Sequence, residues 1–282
     1  DQPKIEKMIQ PSQGVHIVLE RRFLKSKHAI LIPQTSDGRV LFAVPWKNYV
    51  VVGTTDTHVK KASEEPKALK EEVDFILKNA GKYMSVKPKR DDIKSVFAGL
   101  RPLAATSNKQ STKEVSRSHK IDISPSGLIS VLGGKWTTYR KIAEDALNTA
   151  ISINKLKKKK CKTERTKLFG FKRNVSWSDP MHVYGSLKKK VESLGGVNDN
   201  KSLSKKFYIS NNIIEWSIIH EMALTVDDIL ARRTRCVFLD SKESKRIAPV
   251  VAQKMADVLG EDDKWIDAEL KKFNKLIKNY IV

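Results

Sequence analysis

The sequence predicts an α+β chain, in which an antiparallel-sheet domain ends in a strand–glycine–helix join and an all-α domain follows. Three observations carry this. Short apolar, β-branched runs alternate with turn residues through the first half; a glycine pair, Gly133-Gly134, joins one such run to an amphipathic stretch; and apolar residues recur at helical spacing beyond residue 176.

In chain order, residues 1 to 13, with Pro3 and Pro11, read as a lead-in segment, and Gly14-Val15-His16-Ile17-Val18-Leu19 reads as a strand. Ala29 to Pro33, Val40 to Pro45 and Tyr49 to Gly53 continue an antiparallel meander, with Asp37-Gly38 and Lys47-Asn48 as its turns. Lys67 to Tyr83 places Leu69, Val73, Ile76, Leu77 and Ala80 on one helical face. Strands are expected again through Ile93 to Ala98, from Ser116 to Ile123 and from Leu128 to Leu132, and a helix from Thr137 to Ile153, with Thr137 and Thr138 as N-caps. The lysine run Lys155 to Lys160 opens a solvated linker, so the domains are read as 1–154, 155–175 and 176–282. In the last of these, Thr225 and Asp228 have the spacing of a capping box, and Gly260 would end a helix starting near Lys245.

With 282 residues, 40% of them hydrophobic, the chain can bury a substantial core and is expected to form two domains. No apolar run reaches the length of a membrane span, and no signal peptide is seen. The chain starts at Asp1 without an initiator methionine, so a trimmed N-terminus or a fragment is expected. The net charge of +22 invites a nucleic-acid partner, but no zinc spacing, RNA-recognition aromatic motif or heptad-linked basic region accompanies it, and none is expected. The same charge suits phosphorylated substrates or acidic lipid headgroups. Cys161 and Cys236 fit no metal pattern and suggest a reducing compartment.

Four groups are candidates for chemistry. His16 sits in an apolar strand beside a glycine, where it is either a core histidine or a general base. Arg101, between Gly99-Leu100 and Pro102, and Arg117 are either ion-paired structural cations or anion ligands. Lys135 stands at a helix start, where the dipole disfavours positive charge, so a compensating anion is expected. Gly53-Thr54-Thr55-Asp56 is either a turn or a site wall. Asp227 and Asp228 are read as first-turn helix charges, and no metal is expected at His28, His58, His182 or His220.

Gly14-Val15-His16-Ile17-Val18, Val44-Pro45-Trp46, Gly53-Thr54-Thr55-Asp56, Gly99-Leu100-Arg101-Pro102-Leu103, Ser116-Arg117, the run from Gly133 to Lys141 and the run from Glu221 to Thr234 together resemble the FAD-dependent glycerol-3-phosphate dehydrogenases, a group of D-amino-acid-oxidase-like flavoproteins. The G-x-G-x-x-G strand-turn-helix with which that family opens has no counterpart here, so the chain resembles the family's C-terminal portion and is expected to be inactive alone.

The resemblance implies oxidation of sn-glycerol 3-phosphate to dihydroxyacetone phosphate, with FAD as cofactor and a quinone as the next acceptor. It makes 1–154 the substrate-binding domain with the closing part of the FAD-binding domain. His16 then matches the base; Arg101, Arg117 and Lys135 match substrate-binding cations; and Gly133, Gly134, Lys135, Trp136, Thr137 and Thr138 match the flavin end. A cytoplasmic protein is expected, peripheral on the inner face of the cell membrane and attached to acidic lipid, with a homodimer as its assembly. Two other readings stay open: an oxidase that passes electrons to oxygen, and a basic binding module without catalysis.

Overall fold

The computed structural model describes residues 7–105 and 118–282. It contains eight strands, β1 (Ile9–Glu20), β2 (Ile30–Ile32), β3 (Leu41–Trp46), β4 (Tyr49–Gly53), β5 (Thr57–His58), β6 (Ser95–Ala104), β7 (His119–Ile123) and β8 (Ile129–Gly133). Its helices are α1 (Lys70–Ala80), α2 (Tyr139–Ile153), α3 (Lys188–Glu192), α4 (Asn211–Glu221), α5 (Cys236–Leu239), α6 (Ser241–Leu259) and α7 (Asp263–Leu276). Mixed helix with antiparallel sheet is the predicted class.

The chain groups into two compact units that interleave along the sequence. The first takes residues up to 14, 55–66 and 98–168; the second takes 15–54, 67–97 and 169–282. This grouping is spatial, whereas the segments 1–154, 155–175 and 176–282 divide the chain sequentially.

In the second unit the strand order is β2-β3-β4-β1, all antiparallel. The Asp37-Gly38 turn closes as expected, with Gly38 at φ +77° and its amide donating to Thr35 O at 3.1 Å. α1 buries Val73, Ile76 and Ala80 and packs on β3 and β4. Its buried Asn79 is satisfied by Phe75 O at 2.8 Å and by the Ser36 amide at 3.0 Å. The helices form the core of this unit. Ile214, Leu230, Val251, Met255 and Phe273 are all at most 2% exposed, and Val18 and Tyr49 of the sheet join them. Each such aliphatic side chain contributes roughly 1.5–3 kcal/mol by leaving water. Caps define the helix starts: Ser210, Asp240 and Asp262 accept from Ile213, Glu243 and Trp265 amides. The expected capping box is present, with Asp228 accepting from the Thr225 amide and Thr225 Oγ1 from the Asp228 amide, both at 3.1 Å. Gly260 ends α6 at φ +75°, as expected, but α6 starts at Ser241, because Asp240 caps it and Pro249 lies on its exposed side.

In the first unit β5 pairs with the opening residues of β1, Ser12 opposite His58 and Gln13 opposite Thr57. The Ala105 amide donates to Met8 O at 2.8 Å, which ties the end of β6 to the start of β1. β1 thus begins at Ile9 rather than Gly14, a strand start set by pairing with residues far along the chain. β7 and β8 form a hairpin, Ile121 opposite Val131, and α2 packs on β8.

Candidate active site

Arg101 lies on β6 in the first unit, half-buried, its guanidinium over the backbone of Gly14. A Cβ at Gly14 would stand 2.6 Å from the guanidinium carbon, so only glycine lets that plane settle there. Arg101 Nη1 is 3.8 Å from Asp56 Oδ1, a carboxylate 7% exposed that also accepts from the Ser12 hydroxyl. The last residue of Gly53-Thr54-Thr55-Asp56 thus stands beside that cation. Asp56 lies 45 positions from Arg101, and no local pattern in the sequence links the two.

The Gly133-Gly134 join belongs to the same unit. Both glycines hold left-handed backbone, φ +67° and +84°. A Cβ on Gly133 would meet Ser118 O at 3.3 Å and Ala104 N at 3.4 Å; one on Gly134 would meet Ile142 Cδ1 at 2.6 Å. β6 thus carries Arg101 and, three residues on, the backbone against which the join is pressed. After it, Lys135, Trp136, Thr137 and Thr138 are exposed, Trp136 at 86%, with its ring stacked on Tyr139 at 5.6 Å.

The expected capping by Thr137 and Thr138 is not what forms. Residues Trp136–Thr138 make a tight 3-10 turn, Thr138 Oγ1 donates to Lys135 O at 3.0 Å, and α2 has no side-chain cap. Thr138 turns its hydroxyl back toward a preceding carbonyl instead of onto the helix amides.

His16 lies on β1 in the second unit, opposite Gly53 of β4. A Cβ at Gly53 would stand 2.8 Å from His16 Cγ and 2.9 Å from Nε2, so this glycine makes room for the imidazole as Gly14 does for the Arg101 guanidinium. The imidazole stacks on Phe97 at 5.2 Å and 15°. Phe97 meets Phe238 edge-on at 5.1 Å, and Phe238 meets Tyr280 at 5.7 Å. Sequence reasoning named the histidine but not the aromatic row behind it, whose members lie up to 264 positions away. Arg117 lies outside the described residues.

Among the described residues no cluster of histidine, cysteine and carboxylate groups could hold a metal ion. Cys236 is buried and burial pushes its thiol up to about 12, which leaves it protonated and inert. Asp227 pairs with Arg232, in keeping with a structural role. No helix among the described residues is long and apolar enough to cross a membrane.

Known proteins match the chain in two overlapping stretches. Residues 1–140 match the family described as FAD dependent oxidoreductase, and residues 129–266 match the C-terminal domain of alpha-glycerophosphate oxidase. The mitochondrial glycerol-3-phosphate dehydrogenase of Mesocricetus auratus is 32% identical over 303 residues, 98% of this chain and 41% of that protein. That of Homo sapiens is 32% identical over 294 residues, 95% of this chain and 40% of its own length. The chain thus spans about two fifths of the curated relatives it matches. The crystal structure of the glycerol-3-phosphate dehydrogenase from Bacillus halodurans, complexed with FAD, shares the fold, with a TM-score of 0.71 and 24% identity over 97% of this chain and 58% of that one. The two matched families together run from residue 1 to residue 266, and the chain belongs to the FAD-dependent oxidoreductases, with glycerol-3-phosphate dehydrogenases among its relatives.

Proposed function

We propose that this chain forms part of an enzyme that oxidises sn-glycerol 3-phosphate to dihydroxyacetone phosphate with FAD. The observation that carries the reading is that nearly the whole chain aligns with glycerol-3-phosphate dehydrogenases, and that Gly14 and Gly53, in the motifs that carry the resemblance, are glycines whose missing side chains admit Arg101 and His16. The left-handed Gly133-Gly134 backbone, which carries no side chain of its own, suits the close approach of a planar cofactor ring, and Lys135 and Trp136 stand exposed beside it. FAD, when bound, supplies the hydride acceptor.

The chain's own residues divide the remaining work. His16 accepts the hydroxyl proton as the carbinol is oxidised, its ring orientation fixed by Phe97. Arg101 and Arg117 hold the phosphate, for which a planar guanidinium fork is matched, and Asp56 keeps the Arg101 fork from swinging away. Lys135 adds a cation near the substrate oxygen, and Thr137 and Thr138 border the flavin end. Electrons pass on to a quinone; the protein attaches peripherally to an acidic membrane surface on the cytoplasmic side and works as a homodimer. The description of the C-terminal match as part of an oxidase supports oxygen as the alternative acceptor, and stopped-flow reoxidation by oxygen and by a quinone separates the two.

Arg101→Ala in the complete enzyme tests the assignment. Loss of a charge-assisted phosphate contact is expected to raise KM for glycerol 3-phosphate about tenfold to a hundredfold while flavin content stays unchanged, and Arg101→Lys is expected to recover little of it. Unaltered glycerol 3-phosphate kinetics would remove Arg101 from the substrate site.

A further inference from the structure

We propose that a second pocket, in the second unit and built by the β3–β4 turn and the loops before α3 and α4, binds a small phosphorylated aromatic molecule of the nucleoside monophosphate class. The pocket encloses about 500 Å³, within the roughly 300–1,000 Å³ of small-molecule sites. Lys47, Lys205, Lys206, His182 and Trp177 line it, and no carboxylate does.

The charges there are unequally engaged. Lys206 Nζ is 2.8 Å from Asp240, the buried cap of α6, whereas Lys47 and Lys205 have no ion pair among the described residues. Two cations facing one cavity without a counter-ion repel each other, and a bound dianion relieves that repulsion. Lys47 also holds a left-handed turn position, φ +54°, where asparagine or glycine is the less strained choice.

The frame is rigid. Leu203 donates to Ile209 O at 2.7 Å, Ser202 Oγ to Ser204 O at 2.8 Å, and Phe207 and Ile209 anchor the loop in the core, so Lys205 and Lys206 project from a fixed backbone. His182 Nδ1 donates to Asp179 O at 2.7 Å, which fixes the ring against the loop backbone. Trp177 leans on that imidazole at 5.1 Å yet is 81% exposed. An open indole face beside a basic cavity is what an aromatic base stacks on, while the lysines take the phosphate.

The test is calorimetric titration of the chain with AMP, with inorganic phosphate and with adenosine, at low and high salt. AMP is expected to bind at one site, more tightly than either half-molecule, and to weaken with salt. Lys47→Ala/Lys205→Ala and Trp177→Ala are each expected to weaken AMP about tenfold, a loss of about 1.4 kcal/mol, with unchanged far-ultraviolet circular dichroism. Lys157→Ala/Lys158→Ala, in the exposed lysine run, is expected to leave it unchanged. No AMP binding, phosphate binding as tight as AMP, or equal loss in the lysine-run control would each overturn the proposal. None of these outcomes bears on glycerol 3-phosphate kinetics, so the two proposals fail separately.

Discussion

Two glycines, one in each unit, make room for a neighbouring side chain at the level of single residues. At each of them the nearest atoms to an added methyl belong to the His16 ring or the Arg101 fork rather than to backbone, so the substitution acts on one side chain. Gly53→Ala is expected to destabilise the protein by about 1–3 kcal/mol through crowding of the His16 ring. In a His16→Ala background the same change should cost at least about 1 kcal/mol less, since the obstacle is gone. Denaturant titration of the four proteins of this cycle measures the coupling; strictly additive effects would mean that Gly53 is needed for its backbone alone. The sequence exposed both partners as members of short motifs but not their opposition. Opposition is a matter of register, and the pairing of His16 with Gly53 depends on how β1 and β4 align across 37 positions.

Among the elements, those whose determinants are local were legible and those fixed by distant pairing were not. Asp37-Gly38 and the Thr225–Asp228 box carry their geometry within a few residues, and both formed as read. The start of β1 at Ile9 and the uncapped start of α2 follow instead from strands and carbonyls supplied elsewhere. The start of α6 adds an electrostatic consequence that no spacing shows. Arg246 grips Glu243 with Nη2–Oε1 at 2.7 Å and Nε–Oε2 at 2.9 Å, and the Ser204 hydroxyl donates at 2.6 Å. The Arg246 bond first, then Ser204, outweigh the burial that opposes them and hold the Glu243 carboxyl down at about 2. A carboxyl depressed on folding contributes stability that is complete above its unfolded value of roughly 4.3 and is lost as pH falls toward 2. Glu243→Gln is therefore expected to lower stability at pH 7 and to flatten the decline between about pH 4.5 and 2. Parallel acid titrations of the two proteins followed by circular dichroism would show otherwise if their slopes in that window matched.

At the scale of the whole molecule, the burial of apolar surface is unevenly shared between the two units. The second holds the aliphatic and aromatic core of the helices with Val18 and Tyr49 of its sheet. Among the described residues of the first unit, Leu103 and Ala104 are the buried apolar side chains, and α2 buries no residue at all; Leu147 is 64% exposed and Tyr139 49%. Sequence periodicity correctly made α2 an amphipathic helix, because periodicity reports which face is apolar. It does not report whether that face is covered, which depends on surfaces that other segments bring. Helical hydrogen bonds without packing over them open by local fluctuation, at a free energy well below that of global unfolding. Amides of α2 and of the β7–β8 hairpin are accordingly expected to exchange with solvent at least about a hundredfold faster than those on the buried side of α6, where Ile247, Val251 and Met255 are at most 1% exposed. Hydrogen–deuterium exchange read by mass spectrometry on peptides spanning 119–153 and 241–259 compares them directly. Equal protection in the two sets would mean that the first unit draws stability from something other than its own apolar burial. If bound FAD then slowed exchange in 129–153 while leaving 241–259 unchanged, the glycine join and the start of α2 would be the part of this chain on which the cofactor acts.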